Sequence, residues 1–306
     1  MIKKILLFLL VCSAANVFGL AFYVGQHGEK MPENGFKTSN CNWGRSLHYA
    51  TELYKMKPCS IDEIHVRGGQ IVEIDQNLNI GSIVSVVGQL VYAKGKTIKL
   101  SNRLTMELQS SKMSFEKCNL DVGKSLTFAF WHKSRGGGLA TLEFIDTTAN
   151  FGGTMVTIVP VHPDVSFKNF AGPYIVLKGK TKLRFGTGVV IDEIYNEMPN
   201  IWKCTFKFEM TDSIPMLVIE NEAKAKGITF EFDTKNIKAK PGTYALMTLT
   251  DRSSKFENSK FILNGKPYTL GSSFNANGKS AKIEMGPSPI GKDSSTANDI
   301  ILTISK

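Results

Sequence analysis

The sequence holds no Cys-x-x-Cys pair, no Cys/His spacing suited to zinc, and no Asn-x-Ser/Thr acceptor. The first two absences leave no metal-ligand constellation, so neither a metal nor a cofactor is expected. The third slightly favours bacterial export over a glycosylated eukaryotic secreted protein. Lysines are numerous but scattered. With no basic run of five and no stripe of alternating arginine and aromatics, nucleic acid is not an expected partner. The glycines at 136–138 have no Lys-Ser/Thr behind them, which excludes a phosphate-cradling loop. No stretch approaches about 18 consecutive apolar residues, so no transmembrane segment is expected in the mature chain. Paired aspartates for acid/base work are missing as well. Asp62, Asp75, Asp121, Asp146, Asp164, Asp192, Asp212, Asp233 and Asp251 each stand alone near a strand end or turn.

What is present begins with an export signal. Met1, Ile2, Lys3 and Lys4 form a charged start, and the apolar stretch over 5–11 is too short to span a bilayer. Residues 1–19 therefore read as a signal peptide. Cleavage after Gly19 or after Ala21 satisfies the small-residue rule. Lipid attachment at Cys12 is disfavoured by the bulky Val11 before it. The expected location is secreted, cell-surface or periplasmic. Loss of Lys3 and Lys4 lowers the net charge from +10 to about +8. Solubility on a β-rich surface accounts for that charge more simply than a polyanion site does. Four cysteines remain: Cys41, Cys59, Cys118 and Cys204. In an oxidising compartment a Cys41–Cys59 disulfide closing one short segment is the expected pairing, with Cys118 and Cys204 either bridged or buried thiols.

Only one helix is expected, over 42–56, where Trp43, Leu47, Ala50 and Tyr54 share a face, Asn42 caps and Pro58 stops. Ahead of it, Phe22, Tyr23 and Val24 suggest a strand. From Ile61 onward, short β-favouring runs alternate with Gly, Asn, Asp, Lys and Ser turns. Runs are expected at 64–66, 80–87, 97–100, 104–108, 139–145, 155–161, 174–177, 188–194 and 216–219. The fold class is all-β. A loose aromatic phrase recurs at Phe115, Phe144, Phe167, Trp202, Phe230 and Phe256, at intervals of 23 to 35 residues. Self-similarity on that scale signals a solenoid whose coils stack like side chains. A β-sandwich whose strands share aromatics is the other arrangement that fits.

The N-terminal segment Phe22-Tyr23-Val24-Gly25-Gln26-His27-Gly28, with Asn34-Gly35, the helix over 43–54 and Ile64-His65-Val66-Arg67-Gly68-Gly69-Gln70-Ile71-Val72-Glu73, resembles the entry to right-handed parallel β-helix proteins of the pectin-lyase-like superfamily. Near the C-terminus, Gly242-Thr243-Tyr244-Ala245-Leu246-Met247, Phe261-Ile262-Leu263-Asn264-Gly265, Pro267-Tyr268-Thr269-Leu270 and Asn298-Asp299-Ile300-Ile301-Leu302-Thr303-Ile304 resemble the end cap of autotransporter passengers. The resemblance implies a right-handed parallel β-helix solenoid with a short N-terminal capping helix and a C-terminal β cap. Its divisions are a signal peptide over 1–19, an N-terminal cap over 20–60, coils over 61–240 and a final coil and cap over 241–306. These motifs are structural and bring no catalytic residues with them.

The most distinctive loop runs Phe130-Trp131-His132-Lys133-Ser134-Arg135-Gly136-Gly137-Gly138. As a binding site, Trp131 stacks on a sugar or partner while His132, Lys133 and Arg135 engage acidic groups. As a lyase, Lys133 or Arg135 abstracts a proton beside a uronate carboxyl. As plain structure, the glycines reverse the chain and Trp131 packs on the solenoid wall. The five histidines, His27, His48, His65, His132 and His162, have no metal spacing. The function expected is non-enzymatic binding or adhesion, directed at a polysaccharide or other extracellular surface component. The second class is a β-helical polysaccharide lyase or hydrolase acting on acidic glycans.

Overall fold

Alternation at period two builds the strands. In Lys112–Glu116 the second and fourth residues, Met113 and Phe115, are fully buried while Lys112 is exposed. Strands Thr141–Ile145, Thr205–Glu209 and Thr229–Asp233 repeat the rule with Leu142 and Phe144, Phe206 and Phe208, Phe230 and Phe232. A pleated backbone sends such residues to one face, where they leave water together. The computed structural model describes residues 21–25, 30–41, 43–44, 58–66, 69–85, 90–107, 111–129, 140–158, 172–191, 204–220, 223–249, 255–257, 259–287, 289 and 299–305. Every regular element among the described residues is a strand.

The strands assemble into three ten-stranded sheets, here called A, B and C. Through most of the chain each sheet takes every third strand, because the chain visits B, C and A in rotation. Pairing within this region is parallel. Sheet B stacks Phe115 on Phe144, Leu177, Phe208, Phe232 and Leu263 in one inward column. Met113, Leu142, Ile175, Phe206, Phe230 and Phe261 form the next. Ring pairs Phe115–Phe144, Phe206–Phe230 and Phe230–Phe261 are stacked, with centroids 5.8, 6.2 and 5.7 Å apart. Sheet C adds Phe151 over Phe185 at 5.3 Å. Matching columns from sheet A, such as Ile83, Leu104, Leu126 and Met155, close one continuous apolar core.

Two kinds of corner hold the rotation. Between sheets B and C the chain turns through a left-handed residue, Gly95, Lys117, Asp146 or Gly179. Thr147 fills one such corner: its buried hydroxyl donates to the Phe115 and Ile145 carbonyls and accepts from the Cys118 amide. Between sheets C and A, Gly123, Gly152 and Gly186 pile up so closely that a Cβ on Gly152 would lie 2.7 Å from the Gly123 carbonyl oxygen. Only glycine fits there.

The ends depart from the parallel pattern. Trp43–Gly44 is a short strand antiparallel to Ala21–Val24, which corrects the helix expected from Trp43 onward. The Trp43 ring lies edge-on to Phe22 at 6.5 Å, and its backbone pairs with an otherwise open edge. Residues 42 and 45–57, the remainder of that helix, lie outside the described residues. The run expected over 80–87 is two strands, Leu78–Ile80 and Ser82–Ser85, because Gly81 turns the chain from sheet C to sheet A. Phe256 falls in sheet A opposite Ala225, away from the Phe115 column, while Phe167 and Trp202 lie outside the described residues. At the other end, Gly242–Leu249, Asp299–Ile304, Lys279–Gly286 and Ser273–Ala276 are joined by antiparallel pairs.

Candidate functional site

The outward faces of the three sheets differ in how their polar groups are satisfied. On sheet B, the Lys207 ammonium lies 3.1 Å from Glu209, 3.8 Å from Glu231 and 3.7 Å from Asp233. Tyr174 donates to Glu231 at 2.8 Å, two strands away. Burial alone would weaken the Lys207 ammonium, but the hydrogen bond to Glu209 and the three carboxylate charges outweigh it and hold its pKa up. Burial, then the bond to Glu231, pushes the Tyr174 hydroxyl far up. On sheet C, Arg184 holds Glu220 through both Nε and a terminal nitrogen, and donates to Asn150, which donates to Asp121 at 3.2 Å. These groups answer one another and leave little for a ligand.

Sheet A is different. Tyr23, His65, Val84, Thr105 and Thr127 are register partners in one outward column. Strands Ser82–Ser85, Leu104–Glu107 and Leu126–Ala129 are buried on both faces. Thr105 and Glu107 point away from the core yet have 0% exposure. The outward side of this part of sheet A is therefore sheltered from solvent and forms a wall. The Thr105 hydroxyl and Arg103 Nε are buried with no hydrogen-bond partner. Leaving such a group unsatisfied costs about 1–3 kcal/mol, so each is a vacancy for a polar partner.

At the margin of this wall sits a charged group. His65 Nε2 is 3.1 Å from Glu63 Oε2, and an Arg103 terminal nitrogen is 3.5 Å from the other Glu63 oxygen. The hydrogen bond from His65 holds the Glu63 carboxyl low; burial opposes it, and Arg103 adds to it. The Tyr23 ring lies 5.0 Å from the His65 ring. Together the margin of the wall offers an aromatic plate, an imidazole and a partly engaged guanidinium, spaced by strands about 4.8 Å apart. That is an array suited to the hydroxyl and carboxylate groups of a saccharide. Both Glu63 oxygens are already engaged, one by His65 and one by Arg103.

No family model matches this chain, and no curated protein matches it.

Of the residues singled out in the sequence, Trp131, His132, Lys133 and Arg135 lie outside the described residues. They belong to the segment joining Leu126–Ala129 of sheet A to Thr141–Ile145 of sheet B. Cys41 is half-buried after strand Phe36–Lys37, and Cys59 is exposed in the turn before Glu63–Val66. Cys118 and Cys204 are buried thiols, and burial pushes both pKa values up. Several isolated aspartates serve backbone geometry. Asp62 accepts from the Cys59 amide at 2.7 Å, Asp146 from the Lys180 amide at 2.9 Å and Asp299 from the Leu249 amide at 2.7 Å. Among the described residues no group of three His, Cys, Asp or Glu could hold a metal ion. The sequence reading missed Glu63, Arg103 and Thr105. Glu63 and His65 alternate on one strand, which was a visible sign, but Arg103 reaches them only across Ser82–Ser85.

Proposed function

We propose that this is an exported right-handed parallel β-helix protein, akin to the pectin-lyase-like solenoids, that binds an extended acidic polysaccharide or surface component without transforming it. Rotation of the chain through three parallel sheets supports the winding, and the antiparallel strands at the far end suit a β cap of the autotransporter-passenger kind. The observation that carries the binding reading is the margin of the sheet A wall, where the partly exposed Arg103, His65 and Glu63 lie together and the Tyr23 ring faces His65. The loop with Trp131, His132, Lys133 and Arg135 leaves the same sheet one strand further on, and we assign it to the same ligand. Binding is favoured over lyase or hydrolase chemistry because both oxygens of Glu63, the carboxylate at this margin, are already engaged by His65 and Arg103.

Export completes the proposal. Cleavage after Gly19 would leave Ala21 in place to pair with Glu63, whereas cleavage after Ala21 would remove the first residue of that strand.

The test uses the mature chain on an array of uronate-containing and sulfated polysaccharides, followed by calorimetry on any that bind. Binding is expected to weaken about tenfold in Tyr23→Ala and in Arg103→Gln. Absence of binding, or unchanged binding in both variants, would overturn the reading. Unsaturated products or new reducing ends, lost in Lys133→Ala/Arg135→Ala, would replace it with the enzymatic one.

A further inference from the structure

Strand Gly242–Leu249 has a partner strand on each edge, but only part of its length faces both. On one edge it pairs parallel with Met216–Ile219, matching Met247 to Leu217 and Leu249 to Ile219. On the other it pairs antiparallel with Asp299–Ile304 from Gly242 to Met247, with a register shift between Ala245 and Met247. By the parallel register, Gly242–Ala245 run past the start of Met216–Ile219 and face no residue of that strand. The gap is a cleft of about 410 Å³. Its walls are apolar or aromatic at Ile214, Met216, Tyr244 and Ala245, and Lys180 and Lys182 stand beside them. The Tyr244 hydroxyl donates to the Lys240 carbonyl at 2.7 Å, which fixes the ring as a wall.

The two lysines decide the chemistry. Both are exposed, and neither ammonium makes an ion pair among the described residues, unlike the engaged Lys94, Lys112, Lys178 and Lys207 on sheet B. Asp146 takes the Lys180 backbone amide, which leaves the side chain unused. A cleft of this size suits a small molecule. An apolar lining flanked by two unpaired cations complements an apolar body with an anionic head.

We propose that this cleft binds a small amphiphilic anion, a carboxylate or sulfate on an aliphatic or aromatic body, with Lys180 and Lys182 on the head and Met216, Ile214 and Tyr244 on the body. The site is separate from the wall of sheet A and does not rest on the polysaccharide reading. Calorimetry of the mature protein with octanoate, octyl sulfate, octyl glucoside and octylamine tests it. Octanoate and octyl sulfate are expected to bind, octyl glucoside at least about tenfold more weakly, and octylamine not at all. Benzoate in place of octanoate separates an aromatic from an aliphatic preference. Lys180→Gln/Lys182→Gln should lower octanoate affinity about tenfold with the thermal midpoint unchanged, since both side chains are exposed. Met216→Asp should abolish it. Equal binding of octanoate and octyl glucoside, full affinity in the lysine variant, or no binding of any anion would overturn the proposal.

Discussion

At the scale of single residues, the structure distinguishes groups that hold the fold from groups that await a partner. Thr147 belongs to the first kind, since its hydroxyl stitches two successive coils at one corner. Thr147→Val should destabilise by about 1–3 kcal/mol in urea unfolding, and Thr147→Ser should recover most of the loss. Gly152→Ala forces a Cβ against the Gly123 carbonyl and is expected to cost about 1–3 kcal/mol. Glu63 links charge to pH. Its folded pKa lies below the ordinary 4.5, so its contribution is present above that value and is lost as pH falls through the lower folded value. Glu63→Gln should therefore flatten the acid limb of the stability profile below about pH 5 and leave its slope above about pH 6 unchanged. The buried thiols give another readout. Cys118 and Cys204 should resist alkylation in native protein and react once it is denatured, as mass spectrometry would record.

Elements, one scale up, were partly legible beforehand. The runs at 97–100 and 216–219 coincide with strands Thr97–Leu100 and Met216–Ile219, because alternation and β-branched residues act locally. Pairing partners were less accessible. Phe115 and Phe144 were expected to stack and do, yet Phe230 stacks on Phe206 and Phe261 in the neighbouring column. A shift of two residues leaves a side chain on the same face, so the pattern by itself does not choose the column. Trp43 shows the reverse failure, where helical spacing was visible but an open strand edge captured the backbone. The hairpins at Asn264-Gly265 and Asn277-Gly278 carry left-handed angles at both central residues, the turn that such dipeptides favour. That signal lay in the sequence unread. Replacing Phe144 by Ala should remove about 3–5 kcal/mol, because its neighbours in the column cannot collapse into the gap.

On the scale of the whole molecule, parallel stacks end in unpaired strands, and the antiparallel strands are where this chain covers them. Deleting residues from Lys260 onward should expose Thr229–Asp233 as an open edge, and size-exclusion chromatography should then show multimers. The sequence by itself determined the all-β class and the alternation that sets the inward and outward sides of most strands. Each follows from contacts within a few residues. Only the tertiary structure decided which column each phenylalanine joins, that Arg103 meets Glu63 and His65, that Thr105 is buried without a partner, and that Gly242–Ala245 run past Met216–Ile219 beside a cleft. Those depend on stacking segments about 20 to 35 residues apart in the chain, and the register of such stacking is set by the packing of all the coils at once.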